Sequence, residues 1–294
     1  MKFAIYGQYY QNDTRPIIRD IFVFLNKNDV ELVIETEFLK VLYQEDILKK
    51  EYKTFSSHAD LDASFDMLLS IGGDGSILRA VTYVRNTGIP ILGVNAGRLG
   101  FLAKVQKENI EVFMQQVLNK KYTLSKRTLV SLETSPKNNS IKEINFALNE
   151  ISISRKDTTS MITLETYLNG EFLTSYWADG LIISTPTGST GYSLSCGGPV
   201  LTPDVKSLVI TPIAPHNLNA RPLVIPDKTE IKIKVSGREQ NYLVSLDSRI
   251  ATLSNNTILT IKRTPFKINM VEIENETFLN TLRNKLLWGE DKRN

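Results

Sequence analysis

Near Tyr122 the spacing of apolar residues changes from the helical repeat of about 3.6 to an alternation of two, and this switch constrains the fold more than any other feature of the chain. Before it, short aliphatic runs alternate with amphipathic segments, the pattern of strands joined by crossover helices. Phe3 to Tyr6 reads as an opening strand. Thr14 is the expected N-cap of the helix that follows, with Pro16 in its first turn and Ile17, Ile18, Ile21 and Leu25 on one face. Val30 to Ile34, Met67 to Ile71 and Ile89 to Val94 are further strands, and Ile110, Phe113, Met114, Val117 and Leu118 mark another helix. After the switch, alternation continues to about residue 274. Ile231, Ile233 and Val235 alternate with charged residues, and Asn169-Gly170 and Asn255-Asn256 each signal a hairpin. The expectation is an α/β domain over 1–120, an all-β domain over 121–274 and a closing helix over 275–294. That helix carries Phe278, Leu279, Leu282, Leu286 and Leu287 on one face and is expected to pack back on the first domain. A chain of 294 residues exceeds what one core of roughly 250–300 residues fills well, which agrees with two domains.

Composition closes several functional classes. The net charge of +3, from 35 Lys and Arg against 32 Asp and Glu, comes without a basic run able to follow nucleic-acid phosphates, so no nucleic-acid partner is expected. The single Cys196 and two histidines, His58 and His216, leave no soft ligand set for zinc and no internal disulfide, which fits a reducing compartment. The longest stretch free of Asp, Glu, Lys, Arg and His, Gly180 to Pro203, is filled with Gly, Pro, Ser and Thr and cannot span a membrane. The start MKFAIYGQYYQND lacks a signal-peptide core.

Two segments carry chemistry. Gly72-Gly73-Asp74-Gly75-Ser76 falls where a strand meets a helix N-terminus, and Ile77, Leu78, Val81 and Val84 follow at helical spacing. Glycines there admit a phosphate to the backbone N–H groups, and the helix dipole favours its charge. Asp74 beside phosphates can hold a magnesium ion, accept a proton from an attacking hydroxyl or bond a ribose; its bland role is to cap the helix. Arg79, one turn on, is a candidate phosphate contact. The run from Asp179 to Pro199, DGLIISTPTGSTGYSLSCGGP, packs many small donors into little volume, as a polar ligand requires. Asn149-Glu150 closes the strand-like Ile144 to Leu148. His216 and Cys196 read as structural, and Tyr176 and Trp177 as packing.

These pieces in this order resemble the NAD kinase family: GGDGS at 72–76, NAGRLGFL at 95–102, NE at 149–150, the 179–199 block, and TPIAPHNLNARPLVIP at 211–226. The GGDG turn alone also occurs in diacylglycerol and sphingosine kinases and in phosphofructokinases; TPTGST after an NE pair is far more specific. The resemblance implies an α/β nucleotide-binding domain plus an all-β sandwich domain, as in NAD kinases and diacylglycerol kinases, with the active site between them. It implies transfer of the ATP γ-phosphoryl group to the adenosine ribose 2′-hydroxyl of NAD+, with Mg2+ or another divalent cation. Asp74 matches the proton acceptor, and Gly73 and Gly75 line its turn. Asn149, Glu150, Asp179 and the run Thr190, Gly191, Tyr192, Ser193, Leu194, Ser195 match the dinucleotide pocket. Position 191 is Gly where the family commonly has Ala, and Ser160 and Trp177 stand where relatives are often basic. The family also implies a cytoplasmic homotetramer whose ligands are small nucleotides, not a membrane. Rival readings are a diacylglycerol-type lipid kinase and a dinucleotide sensor that catalyses nothing.

Overall fold

The computed structural model describes residues 1–8, 11–96, 100–103, 105, 110–141, 143–157, 160–273 and 277–287. It divides into two units, Met1–Lys126 with Ile268–Asn294, and Arg127–Lys267. In the first unit five parallel strands alternate with helices: β1 (Lys2–Gly7), α1 (Gln11–Lys27), β2 (Glu31–Glu35), α2 (Thr36–Gln44), β3 (Lys53–Phe55), β4 (Met67–Gly72), α3 (Asp74–Val84), β5 (Ile91–Asn95) and α4 (Ile110–Leu118). Their order across the sheet is β5–β4–β1–β2–β3. The central strands β1, β4 and β5 are aliphatic and buried along almost their whole length, as a sheet covered on both faces requires. Ile18, Ile21 and Leu25 of α1 pack into the core with Phe3, Ile5 and Leu69. Thr14 is not the N-cap of α1. That helix begins at Gln11, and Thr14 lies buried inside it, because a polar residue near a helix start can belong to the buried face instead of the cap. The sheet reverses its winding between β1 and β4, and the crevice outside the carboxyl ends of such a pair is where open α/β sheets bind ligands.

In the second unit, two sheets enclose one core. The first is β13–β12–β11–β8–β15–β16, all antiparallel, from β8 (Glu150–Arg155), β11 (Gly180–Ser184), β12 (Ser207–Ile213), β13 (Leu223–Pro226), β15 (Asn241–Leu246) and β16 (Arg249–Ser254). The second is β10–β9–β14–β17, from β9 (Ile162–Leu168), β10 (Glu171–Ala178), β14 (Ile231–Gly237) and β17 (Ile258–Glu272), with β6 (Thr123–Ser135) against β17 and β7 (Phe146–Ala147) against β6. Ile151, Ile153, Ile183 and Tyr242 from one sheet meet Leu164, Ile231, Ile233 and Leu259 from the other, which makes a β-sandwich. Asn169 and Gly170 turn the β9–β10 hairpin with positive φ at both residues. Asn255-Asn256 does not make a hairpin. The chain turns there, but β16 pairs with β15 in one sheet and β17 with β14 in the other, because the strands of a sandwich change sheets at such turns. The closing helix α6 (Phe278–Leu286) belongs to the first unit. It buries Thr281 and Leu282, whereas Leu279 and Leu287, expected on its packed face, are exposed. Positions 275, 276 and 288–294 of the expected 275–294 helix lie outside the described residues.

Candidate active site

The glycine turn sits at the reversal point. Gly72 ends β4 with φ of +145°, and a Cβ there would stand 2.2 Å from Ser76 Oγ, so the position admits only glycine. Ser76 Oγ donates to Gln8 Oε1 (3.0 Å) and Gln8 N–H donates to Ile71 O (3.0 Å), which ties the end of β1 to the start of α3. In front of Gly73 and Gly75 the space is open, and a Cβ on either would meet nothing within 4 Å. Internal packing therefore does not call for these two glycines, and the N-terminal amides of α3 are open to an outside group.

Asp74 does more than occupy that turn. Its Oδ2 accepts from Phe101 N–H (2.8 Å), and its Oδ1 accepts from the N–H groups of Leu102 and Ala103 (3.0 Å each). Gly100 packs so closely that a Cβ there would lie 1.9 Å from Oδ1. The carboxylate thus anchors the segment after β5, and one lone pair on Oδ2 is left for a further partner. This explains the end of the NAGRLGFL motif, whose positions 97–99 lie outside the described residues. Arg79 is exposed, and near it the Tyr83 hydroxyl donates to Glu35 Oε1 (3.4 Å).

In the second unit Asn149 and Glu150 stand at the start of β8, and each holds a buried side-chain oxygen, Asn149 Oδ1 and Glu150 Oε2, without a hydrogen-bond partner among the described residues. Burial first, and the neighbouring Asp247 second, push the Glu150 carboxyl up to about 8. Gly191 backs onto the pair, since a Cβ there would lie 3.3 Å from Glu150 Oε2 and 3.8 Å from Asn149 Nδ2. The alanine common at this position in the family would therefore touch the Glu150 carboxyl. Buried polar atoms without partners carry a desolvation cost of about 1–3 kcal/mol each, which a hydrogen-bonding ligand would remove.

The 179–199 block uses many of its hydroxyls on itself. Thr185 Oγ1 donates to Leu148 O (2.6 Å) and accepts from Gly188 N–H (3.2 Å), Ser189 Oγ donates to Pro186 O (2.7 Å), and Ser193 Oγ pairs with Thr211 Oγ1 (2.8 Å). Within the run from Thr190 to Ser195, Ser193 is therefore buried framework, Tyr192 and Ser195 are exposed, and Thr190, Gly191 and Leu194 are half-buried. These hydroxyls serve the fold of the block itself, because a tight turn between strands has its own backbone groups to satisfy. Asp179 pairs with Arg155 across the β8–β11 ladder (3.1 Å). Trp177 packs against His216 with ring centroids 4.5 Å apart and the ring planes tilted by 58°, and the two share a cleft of about 560 Å³ with Ser160 and Arg238. Burial pushes the Cys196 thiol up, away from the reactive thiolate.

The sequence reading missed Asp247. Its carboxylate accepts from the N–H groups of Leu148 (3.0 Å), Asn149 (2.9 Å) and Glu150 (3.2 Å), so it stands to β8 as Asp74 stands to the segment after β5. No local signal marks it, because these partners lie almost a hundred positions away in the chain.

Comparison with known proteins agrees with this layout. Residues 11–122 match the family model of the ATP-NAD kinase N-terminal domain, and residues 148–273 match that of the ATP-NAD kinase C-terminal domain. An NAD kinase of Flavobacterium johnsoniae is 71% identical over the full length of both chains, and one of Christiangramia forsetii is 58% identical over the same extent. A yeast NADH kinase solved with NADH is 25% identical and superposes with a TM-score of 0.88 over 99% of this chain and 88% of its own. An Archaeoglobus fulgidus NAD kinase solved with ATP is also 25% identical, with a TM-score of 0.73 over 97% of each chain. Both halves match one family in chain order, and relatives align from end to end, so this chain belongs to the NAD kinase family.

Proposed function

We propose that the chain transfers the γ-phosphoryl group of ATP to the adenosine ribose 2′-hydroxyl of NAD+, with Asn149 and Glu150 receiving the dinucleotide and Asp74 the acceptor proton. The observation that carries this reading is the pair of buried, unpartnered oxygens at the start of β8. Vicinal ribose hydroxyls, which donate and accept, and base N–H groups can partner Asn149 Oδ1 and the Glu150 carboxyl with or without its proton, whereas an acyl chain can partner neither, so a diacylglycerol-type lipid kinase is not favoured. Residues Thr190, Gly191, Tyr192 and Ser195 present further polar surface to the same ligand, and Asp179, just before β11 and paired with Arg155, is available to its remaining polar groups.

In the reaction the acceptor oxygen forms a bond to the γ-phosphorus, the bond from that phosphorus to the β–γ bridging oxygen breaks, and ADP leaves. The free lone pair of Asp74 Oδ2 takes the hydroxyl proton. Phosphoryl transfer asks little covalent chemistry of a protein, so orientation and neutralisation of charge supply most of the rate. The open backbone at Gly73 and Gly75 receives phosphate oxygens, with Arg79 within one turn. A pure dinucleotide sensor would gain little from a carboxylate at that point.

Among the described residues no three His, Cys, Asp or Glu side chains come together as a metal cage, and three lone pairs of Asp74 already accept amides. These residues do not fit a cation held by the protein alone; the divalent ion is part of the substrate, carried on the phosphates of ATP. No helix among the described residues is long and apolar enough to cross a membrane. A cytoplasmic homotetramer completes the proposal. Association of copies is supported by the edge strands β10, β13 and β16, each paired on one side among the described residues and exposing Phe172, Val224 and Ile250.

The test is incubation of the pure protein with ATP, Mg2+ and NAD+, followed by a coupled assay specific for NADP+ and phosphorus NMR of the product. Formation of the 2′-phosphate is expected. Absence of NADP+, or phosphorylation of diacylglycerol at a comparable rate, overturns the reading.

A further inference from the structure

The turn between β15 and β16 grips one stretch of backbone with two opposite charges. Arg249 donates to the carbonyls of Ile144 (2.8 Å) and Phe146, while the Asp247 carboxylate accepts from the next three amides, Leu148, Asn149 and Glu150. The backbone N–H of Asp247 donates in return to Glu150 O (3.0 Å). A cation on carbonyls and an anion on amides read the polarity of the segment, so it can sit in only one direction and one register. Asp247 holds a left-handed φ of 53° in a two-residue turn, which aims its carboxylate back at β8, and its side chain is only 4% exposed. The segment so held ends in the two side chains whose oxygens, Asn149 Oδ1 and Glu150 Oε2, are buried without partners.

We propose that Asp247 is a positioning residue for the acceptor nucleotide: by gathering the amides of Leu148, Asn149 and Glu150 it fixes the direction of the Asn149 and Glu150 side chains, and Arg249 completes the clamp. This rests on the reading of Asn149 and Glu150 as the NAD+ contacts. A strand start of ordinary make-up satisfies its first amides with water or a neighbouring strand. Here a buried carboxylate is spent on three of them in a row, and the return is rotational certainty for two side chains that must meet a ligand. A merely structural clamp would lower stability when cut and would affect both substrates alike. A positioning clamp acts on NAD+ through Asn149 and Glu150 and leaves ATP aside.

The experiment uses the full-length enzyme. KM for NAD+, KM for ATP and kcat are measured for the parent, Asp247→Asn, Glu150→Gln and the double variant. For Asp247→Asn the expected result is a rise of about tenfold in KM for NAD+, with KM for ATP within twofold and kcat within threefold. In the double variant the NAD+ effect should be no larger than that of the stronger single variant, because both changes act on one contact. Should Asp247→Asn fail to fold, Arg249→Lys carries the test, with a rise of about threefold confined to NAD+. Equal changes in both KM values, an unchanged KM for NAD+, or fully additive effects in the double variant overturn the proposal. A parent enzyme that makes no NADP+ overturns the underlying reading instead, so the two failures are distinct.

Discussion

A carboxyl group placed where water is scarce keeps its proton, and Glu150 is such a group, with Asp247 beside it. Its folded value of about 8 stands above the ordinary 4.5, so between those pH values the folded chain holds a proton that the unfolded chain has released. The sign follows: the stabilisation is full below about pH 4.5 and is lost as pH rises through 8. Glu150→Gln should remove that dependence, so the melting temperature of the parent should fall more steeply between pH 5 and 8.5 than that of the variant. Parallel curves would show that Glu150 titrates as a solvated carboxylate. Asp74 calls for a different experiment, because it both anchors Phe101, Leu102 and Ala103 and stands at the phosphate turn. Asp74→Asn should lower kcat by roughly 10²–10⁴, the usual range for a general base. It should also cost about 1–3 kcal/mol in denaturant melts, since an amide N–H₂ would face backbone N–H donors. A rate within about fivefold of the parent would leave Asp74 as a loop anchor only.

Among the elements, the 185–189 turn is the joint between β11 and the strand that bears Asn149 and Glu150. Thr185 makes the joint with one hydroxyl, which donates to Leu148 O and accepts from Gly188 N–H, while its backbone N–H donates to Asn149 O (2.9 Å). Thr185→Val keeps the shape and strands one buried carbonyl and one buried amide, so about 2–4 kcal/mol of stability should go in a urea titration. A change below 0.5 kcal/mol would mean that water replaces the hydroxyl. Elements were legible where periodicity is strong. The strand at Met67, the helix carrying Ile77 and Val81 and the Asn169-Gly170 hairpin could all be read locally. α2 went unread because Phe38, Leu39 and Leu42 follow β2 without a break, and β3 has only three residues, too few to show a period. Asn255-Asn256 announced a reversal truthfully, but turn chemistry cannot say which sheet receives the next strand. In the candidate site, Asp74, Asn149 and Glu150 stood out by their company in sequence. Asp247 did not, since a Leu-Asp-Ser-Arg turn is ordinary until the fold brings β8 to it.

At the scale of the whole molecule, the two units are not two consecutive pieces of chain. The first is finished by its own last residues: Val271 near the end of β17 and Ile273 just after it belong to its core, and Met270 registers with Ile91 of β5. Burial of two such side chains contributes on the order of 3–6 kcal/mol, a large share of the stability of an entire domain. A chain ending at Lys267 should therefore keep residues 127–267 resistant to limited proteolysis while the first 126 are digested; equal resistance of both would show that β5 needs no neighbour. The same strand sets an order of events during synthesis. Lys126 leaves the ribosome long before Ile268, and at about 5–20 residues per second that gap lasts roughly 7–28 s. For that interval the opening α/β segment waits with one side of β5 uncovered while the sandwich assembles behind it. The part of the enzyme made first is thus the part completed last, and nascent chains should depend on chaperones through their opening segment.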